Sequence, residues 1–486
     1  MNRLFARYNP VIVVATLVLF GVLYGLLSFG NHIMFRTYGL DLGLYTHALN
    51  DYAHLRGSDC SFFLWEPSHL LADHFDLYLV LLSPLVYLFG GYTLLIVQLA
   101  AVLAGLLGMY RLARLYTESP VLPVVAMLLL GCCFGMWHAL SFDYHSNVVS
   151  ASLLPWLLYC VKRRQTWGVV LLSAAMSIAK ETSALWVVFV LLALLWDERR
   201  DRHMRRLLAL TAAGCMVYFL TIGLWVMPSL DSGGSRGFWR YSWMGSGVGD
   251  MVRWLLTHPL EAVRDLFVDF TPAGDKGNLK AEFFICALLS GGLLILFKPN
   301  YLLMLVPPLA MKMLSCDTGF WGVTFHYNIE ICAVIAVASV VVLSRLEHRK
   351  TMKWVAAGAV LLTLCTLGYT TATPKTSIRK DNVRLFSAHH WRQPDFDATA
   401  ARRMLNLIPS EASVCATTMF TPHLATRPEV FIFPVGQAYN AEYYLLLRQH
   451  PCYYEGEEEQ VAALAADTLH YSVLDSASNI VLLRRL

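Results

Sequence analysis

The residues equipped for chemistry fall in a few short stretches. The segment 31–91 carries Asp41, His47, Asp51 and His54. The string EPSHLLADHFD then adds Glu66, His69, Asp73, His74 and Asp76. Asp143 and His145 share the hexapeptide FDYHSN, Lys180 and Glu181 lie between two apolar runs, and His326, Tyr327 and Glu330 sit together. The stretch DSGGSRGFWRYSWMGSG, within 229–280, offers Arg236 and Arg240 beside Trp239, Tyr241 and Trp243.

Each group admits a chemical use and a plainer one. Asp41 heads YGLDLGLYTHALND, in which Leu40, Leu44, Ala48 and Leu49 form one apolar helical face with Tyr45 and Tyr52. Such an Asp either caps the helix or serves as a general base for a hydroxyl where lipid meets water. A free carboxylate with a pKa near ~3.9 is a weak base, so positioning must supply much of the rate. Glu66, His69, Asp73 and His74, with Asp143 and His145, offer oxygen and imidazole ligands to a divalent metal. The same residues also suit a solvated loop, and His74 or His145 could instead meet a phosphate. Lys180 and Glu181 could pair with each other. Adjacent helical residues project about 100° apart, however, which leaves Lys180 able to face a phosphate. Arg236 and Arg240 suit a phosphate as well. The nearby aromatics suit either a sugar ring or an interfacial belt.

These groups need something to hold them at one face. The 486 residues are 57% hydrophobic and 15% charged, with net charge +4 and mean hydropathy +0.51. Soluble domains carry about 25% charged residues, so a soluble enzyme is excluded, and no nucleic-acid partner is expected. About 20 apolar residues cross a bilayer core, and only helices satisfy their own backbone there. Strong candidate spans are 10–30, 92–113, 120–141, 206–228, 281–297, 327–345 and 353–372, with shorter runs at 147–161, 166–180, 182–197 and 301–314. The amino-terminal run is long and no small-residue cleavage site precedes Asn31, so it reads as a retained first span.

Eleven spans put every Lys/Arg cluster on one side: Arg3/Arg7, Arg111/Arg114, Lys162 to Arg164, Arg199 to Arg206, Lys298, and Arg345 to Lys350. By the positive-inside rule the amino terminus is cytoplasmic and the carboxy terminus is not. The run 77–90 is short and contains Pro84, and reads as re-entrant or interfacial. The expected organisation is a transmembrane module, 1–372, with outward loops 31–91 and 229–280, and an extracytoplasmic α/β domain, 373–486. ASVCATT, EVFIFP, AEYYLLL, HYSVL and NIVLL read as its strands, and 396–408 and 457–467 as its helices. Of eleven cysteines most lie in apolar runs; Cys415 and Cys452 could pair in an oxidising compartment.

The segments YGLDLGLYTHAL, ADHFDLYLVLLSPLVYLFG, TLLIVQLAAVLAGLLGMYRLAR, FDYHSN, AKE, the HY at 326–327 and MFTPHLATRPEVFIFP carry a resemblance. In that order they resemble a domain-of-unknown-function family of predicted polytopic membrane proteins, grouped with the GT-C glycosyltransferases. The resemblance implies a large first outward loop with an acidic residue at its start, and polyprenyl-phosphate or pyrophosphate sugar donors. It makes Asp41 that acid and matches Asp143 to the second-loop acid of similar enzymes. Lys180 is similar to a lysine of the lipid A aminoarabinose transferases. The Asp-x-Glu pattern of protein O-mannosyltransferases is absent, since Leu42 and Gly43 follow Asp41.

The resulting expectation is a GT-C-type helical bundle in a bacterial inner membrane, with its carboxy-terminal domain periplasmic. It would transfer a sugar from a polyprenyl-phosphate donor to a hydroxyl on a lipid, glycan or protein acceptor. Asp41 and Asp143 are the expected catalytic residues. Lys180, His74, Arg240 and Arg236 are expected on the donor phosphate. His145, Glu181, His326, Tyr327 and Glu330 are expected to bind or orient substrate, and Glu66, His69, Asp73 and His74 form the candidate set for a divalent metal ion. A transporter or flippase of lipid-linked glycans, or a non-catalytic envelope assembly protein, is the alternative. Transporters tend to show paired repeats with broken helices near the midplane, and no such repeat is visible here.

Overall fold

A computed structural model describes the chain except residues 1, 59–68, 231–237, 273, 275–276, 347–350, 374–379, 394 and 450–455. It is mostly helical, with a small sheet near the carboxy terminus. Among the described residues, four helical runs are long and apolar enough to cross a membrane: Asn9–Ile33, Leu77–Ala113, Arg202–Leu230 and Met352–Ala372. A fifth arises if Leu122–Gly131 and Phe134–Ser141, which meet at 45°, count as one span. Eleven spans is therefore more than length and composition return among the described residues. The other apolar runs also form helices, among them Ser146–Lys162, Thr166–Ser177, Glu181–Asp197, Val306–Met313 and Ile329–Arg345. Ile329–Arg345 is only 17 residues long and almost wholly buried at the centre of the bundle. The expected span at 281–297 is broken. Gly291 adopts φ 104°, and a Cβ there would sit 2.7 Å from the Ser339 hydroxyl.

The run 77–92 is pinned at both ends to one end of the bundle. Leu77 N–H donates to the Ile178 carbonyl, and Tyr92 stands edge-on to His32. Between them the Tyr87 hydroxyl donates to the Ala53 carbonyl. Gly90, at φ 53°, then turns the chain into the helix Thr93–Ala113. Along this run Leu81, Tyr87 and Leu88 are exposed.

The sheet contains β1 (Val414–Ala416), β2 (Val430–Ile432), β3 (Tyr443–Leu447), β4 (Tyr471–Ala477) and β5 (Ile480–Arg485), in the order β2-β1-β3-β5-β4. The strands β2, β1 and β3 are parallel; β5 pairs antiparallel with β3 and β4. Side chains alternate faces along a strand, and β1, β2 and β3 are buried on both faces, whereas the edge strand β4 is largely exposed. Tyr444, Leu446, Cys415 and Val481 pack with Val461 and Leu464 of the helix Glu457–Ala466. Tyr443, Leu445, Val414 and Leu482 share a core with Phe35, Leu42, Ala48 and Leu49 of the first loop. The sheet therefore rests on the stretch that contains Asp41. Cys415 is buried in β1, whereas Cys452, and with it the proposed disulfide, lies outside the described residues.

Candidate active site

Asp41 sits in a wide π-type turn, Gly39–Gly43, directly before the helix Leu44–Ala53. Neighbours on both sides fix that turn. The Gly39 N–H donates to the Thr418 hydroxyl at 3.0 Å, and the Tyr38 N–H donates to Asp143 Oδ2 at 3.1 Å. Gly39 is required by close approach, since a Cβ there would meet Ile432 and the Thr421 hydroxyl at 2.5 Å. The tail domain and Asp143 together set the height and direction of Asp41.

Asp41 faces a cavity of about 540 Å³. Across from its carboxylate, His145 Nε2 lies 3.8 Å from Asp41 Oδ1. His145 precedes the helix Ser146–Lys162, and its backbone N–H donates to Gln98 Oε1 at 2.9 Å. Gln98 also donates to the Asp143 carbonyl, so one buried amide clamps the FDYH turn. The His145 ring stacks on His326 with centroids 3.3 Å apart. His326 stacks in turn against Phe142 and touches Tyr327. Burial pushes the His326 imidazole well below its ordinary pKa, and Lys180, His74 and Lys312 reinforce the shift.

A basic wall stands opposite. Lys180 is the extended residue preceding the helix Glu181–Asp197 and is itself largely buried at the cavity. Glu181 does not turn to Lys180 alone. It accepts the Phe75 N–H at 3.1 Å and lies 3.5 Å from His74 Nδ1, which ties the first loop to the helix start. Behind this pair Asp76 is buried, accepting the Tyr78 N–H at 2.9 Å. Burial raises its carboxyl pKa to about 7, against the pull of Ser146 and Lys180. The third wall is the segment Phe238–Met244, which brings Trp239, Arg240 and Tyr241 to the cavity. Arg240 packs over Trp239 and Phe320 and lies 3.6 Å from Asp317. Glu330, held by Asn147 Nδ2 at 2.9 Å, closes the floor.

A family described as predicted membrane protein, DUF2079, matches residues 31–482. The chain belongs to this family. A DUF2079 chain is thus a multi-pass membrane protein, and the matched region takes in every residue of the cavity. The fold of this DUF2079 protein is similar to that of the Archaeoglobus fulgidus oligosaccharyltransferase in its apo form. The TM-score is 0.50 at 13% identity, over 90% of this chain and 69% of that one. ArnT from Cupriavidus metallidurans, solved bound to undecaprenyl phosphate, gives a TM-score of 0.49 at 13% identity, over 96% and 98% of the two chains. No curated protein matches the DUF2079 sequence.

Of the residues singled out by sequence, Asp41, Asp73, His74, His145, Lys180, Glu181, Arg240, His326, Tyr327 and Glu330 all line this DUF2079 cavity. Asp143 does not; it is fully buried and holds Tyr38. His69 accepts the Leu71 N–H as the cap of a short helix. Among the described residues, no three His, Cys, Asp or Glu side chains come together as metal ligands. Glu66 and Arg236 lie outside the described residues. Sequence reading missed Lys312. It lies in the apolar run VPPLAMKM, lines the cavity, and donates to the carbonyls of Phe320 and, at 2.6 Å, Gly322. A lone lysine within an apolar helix was the available signal.

Proposed function

We propose that this protein is a membrane glycosyltransferase that takes its sugar from a polyprenyl-phosphate donor, on the non-cytoplasmic face, and passes it to an acceptor hydroxyl. The observation that carries the reading is one cavity with a carboxylate–imidazole pair, Asp41 and His145, on one wall and Lys180 with Arg240 on another. The fold shared with an oligosaccharyltransferase supports it. So does the cavity's size, which suits a sugar and its phosphate within the range of about 300–1,000 Å³ usual for such ligands.

In this reading the acceptor oxygen attacks the anomeric carbon while the bond from that carbon to the phosphate oxygen breaks. The electron pair leaves with the polyprenyl phosphate. Asp41 receives or orients the hydroxyl proton, and His145 holds the carboxylate in place. Lys180 and Arg240 meet the negative charge that gathers on the departing phosphate, where charge-assisted hydrogen bonds are strongest. His74 fixes Glu181 and the loop beside Lys180. His326, Tyr327 and Glu330 shape the acceptor side. Asp143 acts at one remove, by positioning the turn that carries Asp41. The donor chain reaches the cavity from the bilayer beside 77–90, with eleven spans carrying the amino terminus in the cytoplasm and the tail outside.

The test is transfer of label from a polyprenyl-phosphate sugar to acceptor by the full chain in lipid nanodiscs. A carboxy-terminal reporter active only in the cytoplasm accompanies it. Transfer with a silent reporter is expected. Label that crosses a liposome membrane without a change of covalent partner overturns the reading in favour of transport.

A further inference from the structure

Two consecutive helices, Val248–Thr257 and Pro259–Phe267, stand outside the bundle between the span ending at Leu230 and the helix starting at Leu279. Both are strongly amphipathic. Val248, Val252 and Leu256 follow one another at i, i+4 and i+8, and Leu260, Val263 and Phe267 at i, i+3 and i+7, so each helix carries a single apolar stripe. All six side chains are exposed, Leu256 at 76% and Leu260 at 85%. Contiguous exposed apolar surface of this kind marks a contact with a partner or a membrane.

The inner side of the pair is, by contrast, firmly held. Lys280 is buried and donates to the carbonyls of Asp265 and, at 2.9 Å, Val268, capping the end of the second helix. Its ammonium also lies over the rings of Phe270 and Trp321. Trp254 of the first helix packs edge-on against Trp243, centroids 4.8 Å apart, and Trp243 packs on Phe270. Trp243 closes the segment that brings Trp239, Arg240 and Tyr241 to the cavity.

We infer that the helix pair 248–267 lies in the bilayer surface, apolar stripe down, and that this seat steadies the cavity wall 239–243 through the Trp254–Trp243 contact. The occupant of the stripe is the lipid interface and not a protein. The exposed apolar surface extends onto the next helix, where Phe267 packs on Phe284 and Ile285 and Leu288 are exposed, and Leu224 and Trp225 at the end of the preceding span are exposed as well. Charges of both signs, Arg253, Glu261 and Arg264, flank the stripe, as suits a helix lying in the headgroup plane.

This inference does not depend on the reaction. A nitroxide placed at Leu260→Cys, with Cys60, Cys316, Cys365 and Cys452 replaced by Ser, measures depth in nanodiscs of phosphatidylglycerol and phosphatidylethanolamine. Relaxation by oxygen well above that by a water-soluble nickel chelate is expected. Greater relaxation by the chelate overturns the proposal, and so does dipolar broadening between labels of two chains, which would make the stripe a protein interface. For the coupling, Leu256→Asp with Leu260→Asp should speed backbone hydrogen exchange of 239–243 severalfold in nanodiscs, and Trp254→Ala should do the same without touching the stripe. Unchanged exchange at 239–243 in both variants overturns the link to the cavity.

Discussion

The imidazole rings of His145 and His326 stack with centroids 3.3 Å apart and planes 22° from parallel. Two imidazoles this close do not both become imidazolium, because like charges at contact disfavour the second ionisation. Burial holds His326 neutral, and the neighbouring cations add to the effect. His145 is the ring that lies against the Asp41 carboxylate.

The neutral His326 leaves a mark on stability. In the unfolded chain it takes up a proton near pH ~6.5, while in the fold it does not, so acidification through that range costs stability. His326→Gln removes this contribution. Between pH 7 and pH 5 the variant should lose less stability than the parent, a difference of up to about 1.4 kcal/mol per pH unit in unfolding free energy. Parallel melting curves over that range would remove the basis for a neutral His326.

Asp76 works in the opposite direction. Its folded pKa of about 7 lies above the unfolded value. The folded state therefore binds the extra proton, and stability falls as pH rises from about 4 to about 7, then levels. Asp76→Asn removes the penalty of a buried charge. The variant should melt higher than the parent at pH 8, with the gap closing toward pH 4. Equal melting at pH 8 would count against the buried carboxyl.

Asp41→Asn keeps the shape of the side chain and removes its charge. Transfer should fall by roughly 10²–10⁴-fold, the usual size of a lost general base, with donor binding retained. Turnover near the parent rate would deny Asp41 a role as general base.

Lys180 and Glu181 separate into two experiments because they serve different partners. Lys180→Met should weaken binding of a polyprenyl phosphate while leaving the melting temperature nearly unchanged, since Glu181 keeps His74 and the Phe75 N–H. Glu181→Ala should cost about 1–3 kcal/mol, because it strands the Phe75 N–H without an acceptor. A Lys180→Met protein that melts low yet binds normally per folded molecule would make the lysine structural.

Asp143 is distinguished from Asp41 by its conservative substitution. Asp143→Asn keeps an oxygen for the Tyr38 N–H and should retain most activity. Asp143→Ala orphans that N–H, at about 1–3 kcal/mol, and loosens the Asp41 turn. Loss of transfer in Asp143→Asn equal to that in Asp41→Asn would assign Asp143 a direct chemical role.

What the sequence determined by itself is everything set by local composition and period. Apolar runs near 20 residues long must be helices in lipid, because no other backbone arrangement of that length satisfies its own hydrogen bonds. Short apolar runs of aromatic, β-branched and aliphatic residues in AEYYLLL and NIVLL read as strands, which appear as β3 and β5. Polar residues too costly to bury at random pointed to the cavity, and ten of the fourteen residues expected to act as catalytic, substrate or metal groups line it. Tertiary structure decided the rest. Asp143 and His145 stand two residues apart in one hexapeptide, yet one fixes a backbone N–H and the other reaches Asp41. That division depends on where Tyr38, Gln98 and the tail domain press on the turn. Lys312 faces the cavity only because the carbonyls of Phe320 and Gly322 draw it there. The break at Gly291 answers to Ser339 on a helix far along the chain. The contacts of Asp143 and Gly291 join segments remote in sequence, and those of Lys312 reach from its helix to the loop that follows; no local period encodes which surface will arrive.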